Sequence, residues 1–257
     1  MAAPVPPRPR RRARLGRSRP GRRPAGVPDT AGAGGIVLST PNEVDRPVTV
    51  AVMGTHSTGK TTFLTRLQEE LRRNRIEVAT VADLGYDAMK AGLPILDQHT
   101  WASTLWIMTR GISNELEAWL HADVVLIDRG VPDALGYYEA ALEYSGRQPD
   151  PQRIRQLEEL VVGHSKNYDF VLRTVLDPEM PLGDSKPRDT DLQFRALAGQ
   201  RIEAVMTRLG IGHDVLTSAN HDRVLVDAKA YIGLRLSEPE LEISWDDDPP
   251  PAAAPAS

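Results

Sequence analysis

The chain has 257 residues, no cysteine and a formal net charge of −4, which excludes disulfides, thiolate metal sites and a cysteine nucleophile. Its 40% hydrophobic and 26% charged content fits one globular domain with residues to spare at each end. The mild charge singles out no partner, and no apolar run approaches a bilayer span; a cytoplasmic protein is expected.

Residues 1–46 are rich in Pro, Arg, Gly and Ala, and such a segment cannot offset its ordering entropy by burial. It reads as a disordered basic tail. The run Arg10, Arg11, Arg12, Arg14, Arg17, Arg19, Arg22 and Arg23 suits nucleic acid or an anionic membrane, but charge runs are usually only solvated, so nucleic acid is not expected as a partner. No apolar h-region follows it, which argues against a secretory signal; an organelle transit peptide remains compositionally open.

From 47 to 236 strand and helix patterns alternate. Val48 to Met53 is a continuous apolar, β-branched run, as a fully buried parallel strand requires. Phe63, Leu64, Leu67 and Leu71 then recur at helical spacing. Ile76 to Val81 predicts a second strand, and Gln98 to Leu120 a helix with Trp101, Leu105, Met108, Ile112, Leu116 and Trp119 on one face. Val124 to Ile127 is another buried run, closed by Asp128. Helices are expected over Pro132 to Tyr144 and Pro151 to His164, a strand at Phe170 to Leu172, and a helix through Leu209. His213 to Leu216 and Val224 to Val226 offer a last strand and a closing segment. Residues 237–257, with an aspartate run and a Pro/Ala stretch, read as a second disordered tail. The alternation predicts an α/β three-layer sandwich, a parallel sheet flanked by helices.

Gly54-Thr55-His56-Ser57-Thr58-Gly59-Lys60-Thr61 fits G-x-x-x-x-G-K-[ST] without a gap, between a buried strand and an amphipathic helix as that motif demands. The glycines let consecutive backbone N–H groups approach a phosphate, and the helix N-terminus adds its dipole. Gly54 to Thr62 are therefore the expected ATP-binding residues. Lys60 is expected on the β- and γ-phosphates, and the Thr61 hydroxyl on Mg²⁺. His56 is read as a loop position presenting mainly its backbone.

Asp128 ends a buried strand, where open α/β sheets place their ligand chemistry, and is the candidate second Mg²⁺ ligand. Arg129 beside it suits a bidentate grip on an anionic substrate, or a structural ion pair. The segment Asp128-Arg129-Gly130-Val131-Pro132-Asp133, continuing to Tyr137 and Tyr138, resembles the D-R-G-x-x-D-x-x-x-Y stretch of P-loop kinases similar to thymidylate kinases and to ribosylnicotinamide kinase domains. The 54–62 loop and Arg188-Asp189-Thr190-Asp191 fall in the order that resemblance requires. It implies a P-loop NTPase, nucleotide-kinase-like fold, with Asp128 and Arg129 facing a phosphoryl acceptor. Asp133 and Tyr137 line the acceptor pocket on this view, although Tyr137 and Tyr138 could instead pack a helix.

The same resemblance places an acid after the second strand, where Asp83 stands; general base, solvent exposure and a cap are all open to it. Lys186, Arg188 and Arg195 occupy the place of a lid whose cations stabilise the transferring phosphoryl group. A plain helix start with Asp189 or Asp191 as N-cap fits too. The expected catalytic set is Lys60, Asp128, Arg129, Arg188 and Asp83, moving the ATP γ-phosphoryl to a small nucleoside- or nucleotide-like acceptor. The competing reading is an ATPase or nucleotide-dependent switch acting on a protein or nucleic acid. Lys166-Asn167-Tyr168-Asp169 only superficially resembles a guanine-reading N-K-x-D, which disfavours a GTPase, and no clear AAA+ sensor or oligomeric arginine-finger pattern stands out. Acceptor identity and oligomeric state are not encoded in these motifs.

Overall fold

The computed structural model describes residues 44–175 and 191–237. The lid candidates Lys186 and Arg188, and almost all of the two tails, lie outside those residues. Five strands form one sheet in the order β2-β3-β1-β4-β5: β1 (Val48–Met53), β2 (Val78–Val81), β3 (Val124–Asp128), β4 (Phe170–Thr174) and β5 (Asp214–Leu216). Every pairing is parallel, so all strands end at the same edge.

The central strand β1 is buried along its whole length. Its period of two sends alternate residues into two separate cores. Val48, Val50 and Val52 join Val124 and Leu126 of β3 on one face, against Phe63, Leu64 and Leu67 of α1 (Lys60–Arg73) and Val224, Ala228 and Ile232 of α7 (His221–Ser237). Ala51 and Met53 join Val125 and Ile127 on the other. There they meet α3 (Trp101–Trp119), α4 (Val131–Tyr144), α5 (Pro151–Ser165) and α6 (Leu192–Arg208) through Met108, Leu135, Leu157, Phe194 and Ile202. A strand with no polar face can only sit between two helical layers, and the three-layer sandwich follows.

The helix starts are written locally. Thr100 and Ser103 form a reciprocal capping box for α3. Asp150 caps α5 ahead of Pro151. Asp191 caps α6 by accepting from the N–H groups of Gln193 and Phe194. Gly136 brings α4 against α6: a Cβ there would lie 2.7 Å from Ile202 Cα and 2.8 Å from its backbone N.

Three elements differ from expectation. β2 starts at Val78 rather than Ile76. A short helix α2 (Gly85–Lys90) follows Asp83, with a 3-10 turn at Leu96–Gln98. Val224 to Val226 lie inside α7 rather than forming an extended closing segment, because Val224, Leu225, Ala228 and Ile232 together make a helical stripe facing α1 and β1. No helix among the described residues is long and apolar enough to cross a membrane.

Candidate functional site

The P-loop leaves the end of β1 through Gly54, whose φ of +130° suits glycine alone. A Cβ at this position would stand 2.1 Å from Thr174 Oγ1. The Gly54 N–H donates to both carboxylate oxygens of Asp133, at 3.0 and 3.1 Å. Thr174 closes the loop from β4: its hydroxyl donates to the Met53 carbonyl at 3.0 Å and lies 2.6 Å from Thr58 Oγ1. Arg195, in the first turn of α6 and 4% exposed, donates from Nε to the His56 carbonyl at 3.1 Å and from Nη2 to the Ser57 carbonyl at 2.9 Å. Those two bonds turn carbonyls outward and so favour N–H groups facing in. Arg195, expected beside a lid, is thus a brace of the phosphate loop.

His56 engages Tyr137 through backbone and ring alike: its N–H donates to the Tyr137 hydroxyl at 3.3 Å, and its ring Nδ1 lies 3.2 Å from the same oxygen. α1 starts at Lys60 behind Gly59 with no side-chain cap, so its first N–H groups remain for a ligand. Lys60 Nζ donates to the Thr55 carbonyl and to Thr58 Oγ1. Burial, seconded by the Arg129 charge, lowers its pKa to about 7 against the opposing pull of Asp128, Asp133 and Asp83. A polyphosphate would supply the countercharge that restores an ammonium there.

Thr61 Oγ1 donates to Asp128 Oδ2 at 2.6 Å. The other carboxylate oxygen, Oδ1, is buried with no hydrogen-bond partner, which is rare for so polar an atom. Threonine hydroxyl, carboxylate and phosphate oxygens are the donor set that Mg²⁺ takes, and these residues fit the ion. Among the described residues no cluster of three or more His, Asp or Glu side chains forms an all-protein metal cage.

Arg129 sits at φ +73°, an uncommon conformation for a residue with a side chain. Its Nε pairs with Asp83 Oδ2 at 3.0 Å, its Nη1 with Asp133 Oδ2 at 3.6 Å, and its guanidinium lies 5.1 Å from the Tyr137 ring centroid. The arginine is held by protein carboxylates, the ion-pair alternative read from the sequence. Asp83 Oδ1 also accepts the Gly85 N–H at 2.9 Å, fixing the turn that leads into α2. Burial raises the Asp133 carboxyl to about 7, outweighing Arg129, Lys60 and the Gly54 N–H.

P-loop and Asp-Arg-Gly turn open onto one cavity of ≈ 450 Å³. Its walls are apolar where Leu84, Met89, Ile95, Leu96, Ile107 and Met108 line it; Asp83, Asp128, Arg129 and Asp133 supply the charge nearer the loop. His99, 5% exposed, lines it as well; burial drives its pKa down to about 4 and keeps the ring neutral. The structure therefore joins Lys60, Thr61, Asp83, Asp128, Arg129, Asp133 and Tyr137, while Arg188 lies outside the described residues. Sequence reasoning missed Thr174 and Glu115. Thr174 lies one step beyond the Met53–Arg173 pair of the β1–β4 register, and Glu115 is the one acid among the buried residues of α3, which are otherwise Ser103, Thr104 and Met108.

Lys166 to Asp169 do not form a guanine-reading site. Asp169 precedes β4, at the sheet edge opposite the P-loop, where it accepts from Arg46 at 2.7 and 2.9 Å and from the Thr49 N–H at 2.8 Å. It is a structural clamp rather than a base reader.

Comparison with known proteins extends this picture. A NadR protein in complex with NR shares the fold, with a TM-score of 0.55 and 17% identity over 73% of this chain and 52% of that one. A NadR protein in complex with NAD and AMP-PNP gives a TM-score of 0.52 and 16% identity over 73% and 50%. A deoxyadenosine kinase from M. mycoides with bound dCTP has a TM-score of 0.47 at 11% identity, covering 71% and 99%. The chain spans about half the length of the NadR proteins. No curated protein matches it in sequence. The fold is that of a P-loop, nucleotide-kinase-like protein, and with the AAA domain model matching residues 49–235, the chain belongs to the AAA domain family.

Proposed function

We propose that this protein is a phosphotransferase that moves the γ-phosphoryl group of Mg-ATP to the hydroxyl of a small acceptor. The observation that carries the reading is the continuity of the P-loop with a half-open cavity of ≈ 450 Å³, walled by apolar side chains and edged by acids. That size and lining suit a small molecule. The triphosphate takes the end lined by residues 56–62, and the apolar remainder around Leu84, Met89, Ile95 and Ile107 is what favours an acceptor over a switch ATPase without one. The AMP-PNP held by a NadR structure of the same fold supports a nucleoside triphosphate as donor.

In this reading Gly54 to Thr62 cradle the triphosphate and Lys60 neutralises charge on its β- and γ-oxygens. Thr61 and Asp128 would hold Mg²⁺, which supplies further charge neutralisation on the phosphates. With Asp128 given to Mg²⁺, Asp83, oriented by Arg129, is assigned as the general base. The acceptor oxygen attacks the γ-phosphorus and its proton passes to the Asp83 carboxylate. The bond from that phosphorus to the β,γ-bridging oxygen breaks, and ADP departs with the electron pair. Positioning and electrostatics, rather than covalent chemistry, lower the barrier.

The test is Mg-ATP turnover by the full chain against pooled nucleosides, nucleotides and related hydroxyl metabolites, with product mass measured. A pool that raises ADP release and yields a product heavier by one phosphoryl group is the expected result. ADP release indifferent to every pool, and abolished in Lys60→Ala, would instead identify an ATPase without a small acceptor.

A further inference from the structure

Phosphoryl transfer uses the end of the cavity beside the P-loop and leaves its inner wall without a role. α3 lines that wall with Met108, Gly111 and Glu115, one helical face at i, i+3 and i+7. Glu115 is 2% exposed. Its Oε2 lies 2.6 Å from His164 Nε2, and its Oε1 accepts the Tyr168 hydroxyl at 3.2 Å. Asn167 Nδ2 stands 3.4 Å behind His164 Nδ1, so the proton belongs on Nε2, which donates to the carboxylate. The Tyr168 oxygen accepts in turn from the Val131 N–H at 3.2 Å. The acid is thus fixed from behind, through the residue that opens α4.

An ionised carboxylate offers about four lone-pair sites, and only two contacts fill them here. A buried carboxylate left short of donors is costly. The cationic side chains of Lys and Arg that line the cavity are Lys60 and Arg129; the first donates to the P-loop and the second pairs with Asp83 and Asp133. No Lys or Arg among the described residues ion-pairs with Glu115. The apolar flank of Ile107 and Met108 keeps the local dielectric low, which strengthens a matched hydrogen bond and penalises a second anion.

We propose that Glu115 is a specificity-determining residue, accepting a hydrogen bond from an exocyclic amino group of a nucleoside-sized ligand that carries no phosphate. The name of that ligand as the acceptor rests on the phosphotransferase reading; its recognition does not, and binding without turnover tests it. His164 and Tyr168 act as positioning residues behind the acid.

The experiment is equilibrium titration of the full chain, with saturating Mg-AMP-PNP to fill the triphosphate site. The probes are adenosine, guanosine and cytidine, each beside its 5′-monophosphate, with purine riboside and uridine as partners that lack an exocyclic amino group. At least one amino-bearing nucleoside should bind about tenfold or more tightly than both its monophosphate and its partner without the amino group, the discrimination a lost hydrogen bond to a buried charge gives. Glu115→Gln should erase that preference while leaving AMP-PNP affinity unchanged. Monophosphates binding as well as nucleosides, no nucleoside binding, or a Gln variant that keeps the preference or weakens every ligand alike would each overturn the assignment. Even if the variant folds poorly, a wild-type protein without that preference overturns the assignment. A nucleoside that binds with the stated preference but yields no phosphorylated product would leave Glu115's role standing and remove the phosphotransferase reading.

Discussion

Replacing Gly136 by Ala sets local and tertiary physics against each other. In a helix interior Ala is favoured over Gly by about 1 kcal/mol, so propensity alone predicts a stabler α4. The added methyl, however, would lie 2.5 Å from Ile202 Cγ1, 2.7 Å from its Cα and 2.8 Å from its backbone N. Two of those atoms are backbone and cannot rotate away, so α6 must retreat by about 1 Å to restore ordinary contact distances. Overpacking of this kind typically costs about 1–3 kcal/mol, and with backbone in the clash the upper part of that range applies, leaving a net loss of about 2 kcal/mol. The displacement also has a functional address. Arg195 rides on α6 and holds the P-loop carbonyls at 2.9 and 3.1 Å, contacts that fail when stretched by about 1 Å. Urea unfolding should show the lower midpoint, and calorimetric titration with Mg-AMP-PNP an affinity loss of about tenfold. Gly163→Ala is the internal control, since a methyl on that α5 residue meets nothing within 4 Å and should be neutral or stabilising. A Gly136→Ala protein as stable as the Gly163→Ala one would refute the packing argument.

Two further outcomes are expected. Asp128→Asn should raise the Mg²⁺ concentration needed for half-maximal turnover by about 10–100-fold, with nucleotide binding in EDTA unchanged; an unaltered Mg²⁺ requirement would dismiss Asp128 as a ligand. His99 takes up its proton near pH 6.5 when unfolded but only near 4 when folded. The unfolded state therefore binds the proton first, and stability is lost as pH falls through that window, by about 3 kcal/mol at 1.36 kcal/mol per pH unit. His99→Asn should flatten the acid limb of a pH–stability curve measured by urea unfolding, and an unchanged limb would assign the acid loss to other groups.

The parallel sheet was legible because β1 and β3 are buried on both faces and so spell unbroken apolar runs. α7 was not: Val224, Leu225 and Val226 look extended in isolation, and only the spacing to Ala228 and Ile232 reveals a helix. The six-residue α2 carries too few buried positions to show a period. At the site, the P-loop could be read because its donors are consecutive in the chain. Thr174, Arg195 and Glu115 act by converging from another strand and two helices, and no local pattern records that meeting. Arg129 shows the same limit: its charge is written in the sequence, whereas Asp83, which pairs with it, comes from the end of a different strand.

Ser57, Leu96 and Arg129, at φ +57°, +57° and +73°, all line the cavity, and each holds a conformation that costs a residue with a side chain on the order of 1 kcal/mol. Glycine would relieve that backbone strain at each place. At position 129 that choice would delete the guanidinium that orients Asp83 and Asp133. A buried Asp133 and a half-buried Asp83 left without their cation cost more than the strain relieved. The strained backbone at 129 is thus held in place by the charges it serves, and stability and site geometry should fall together when it is replaced.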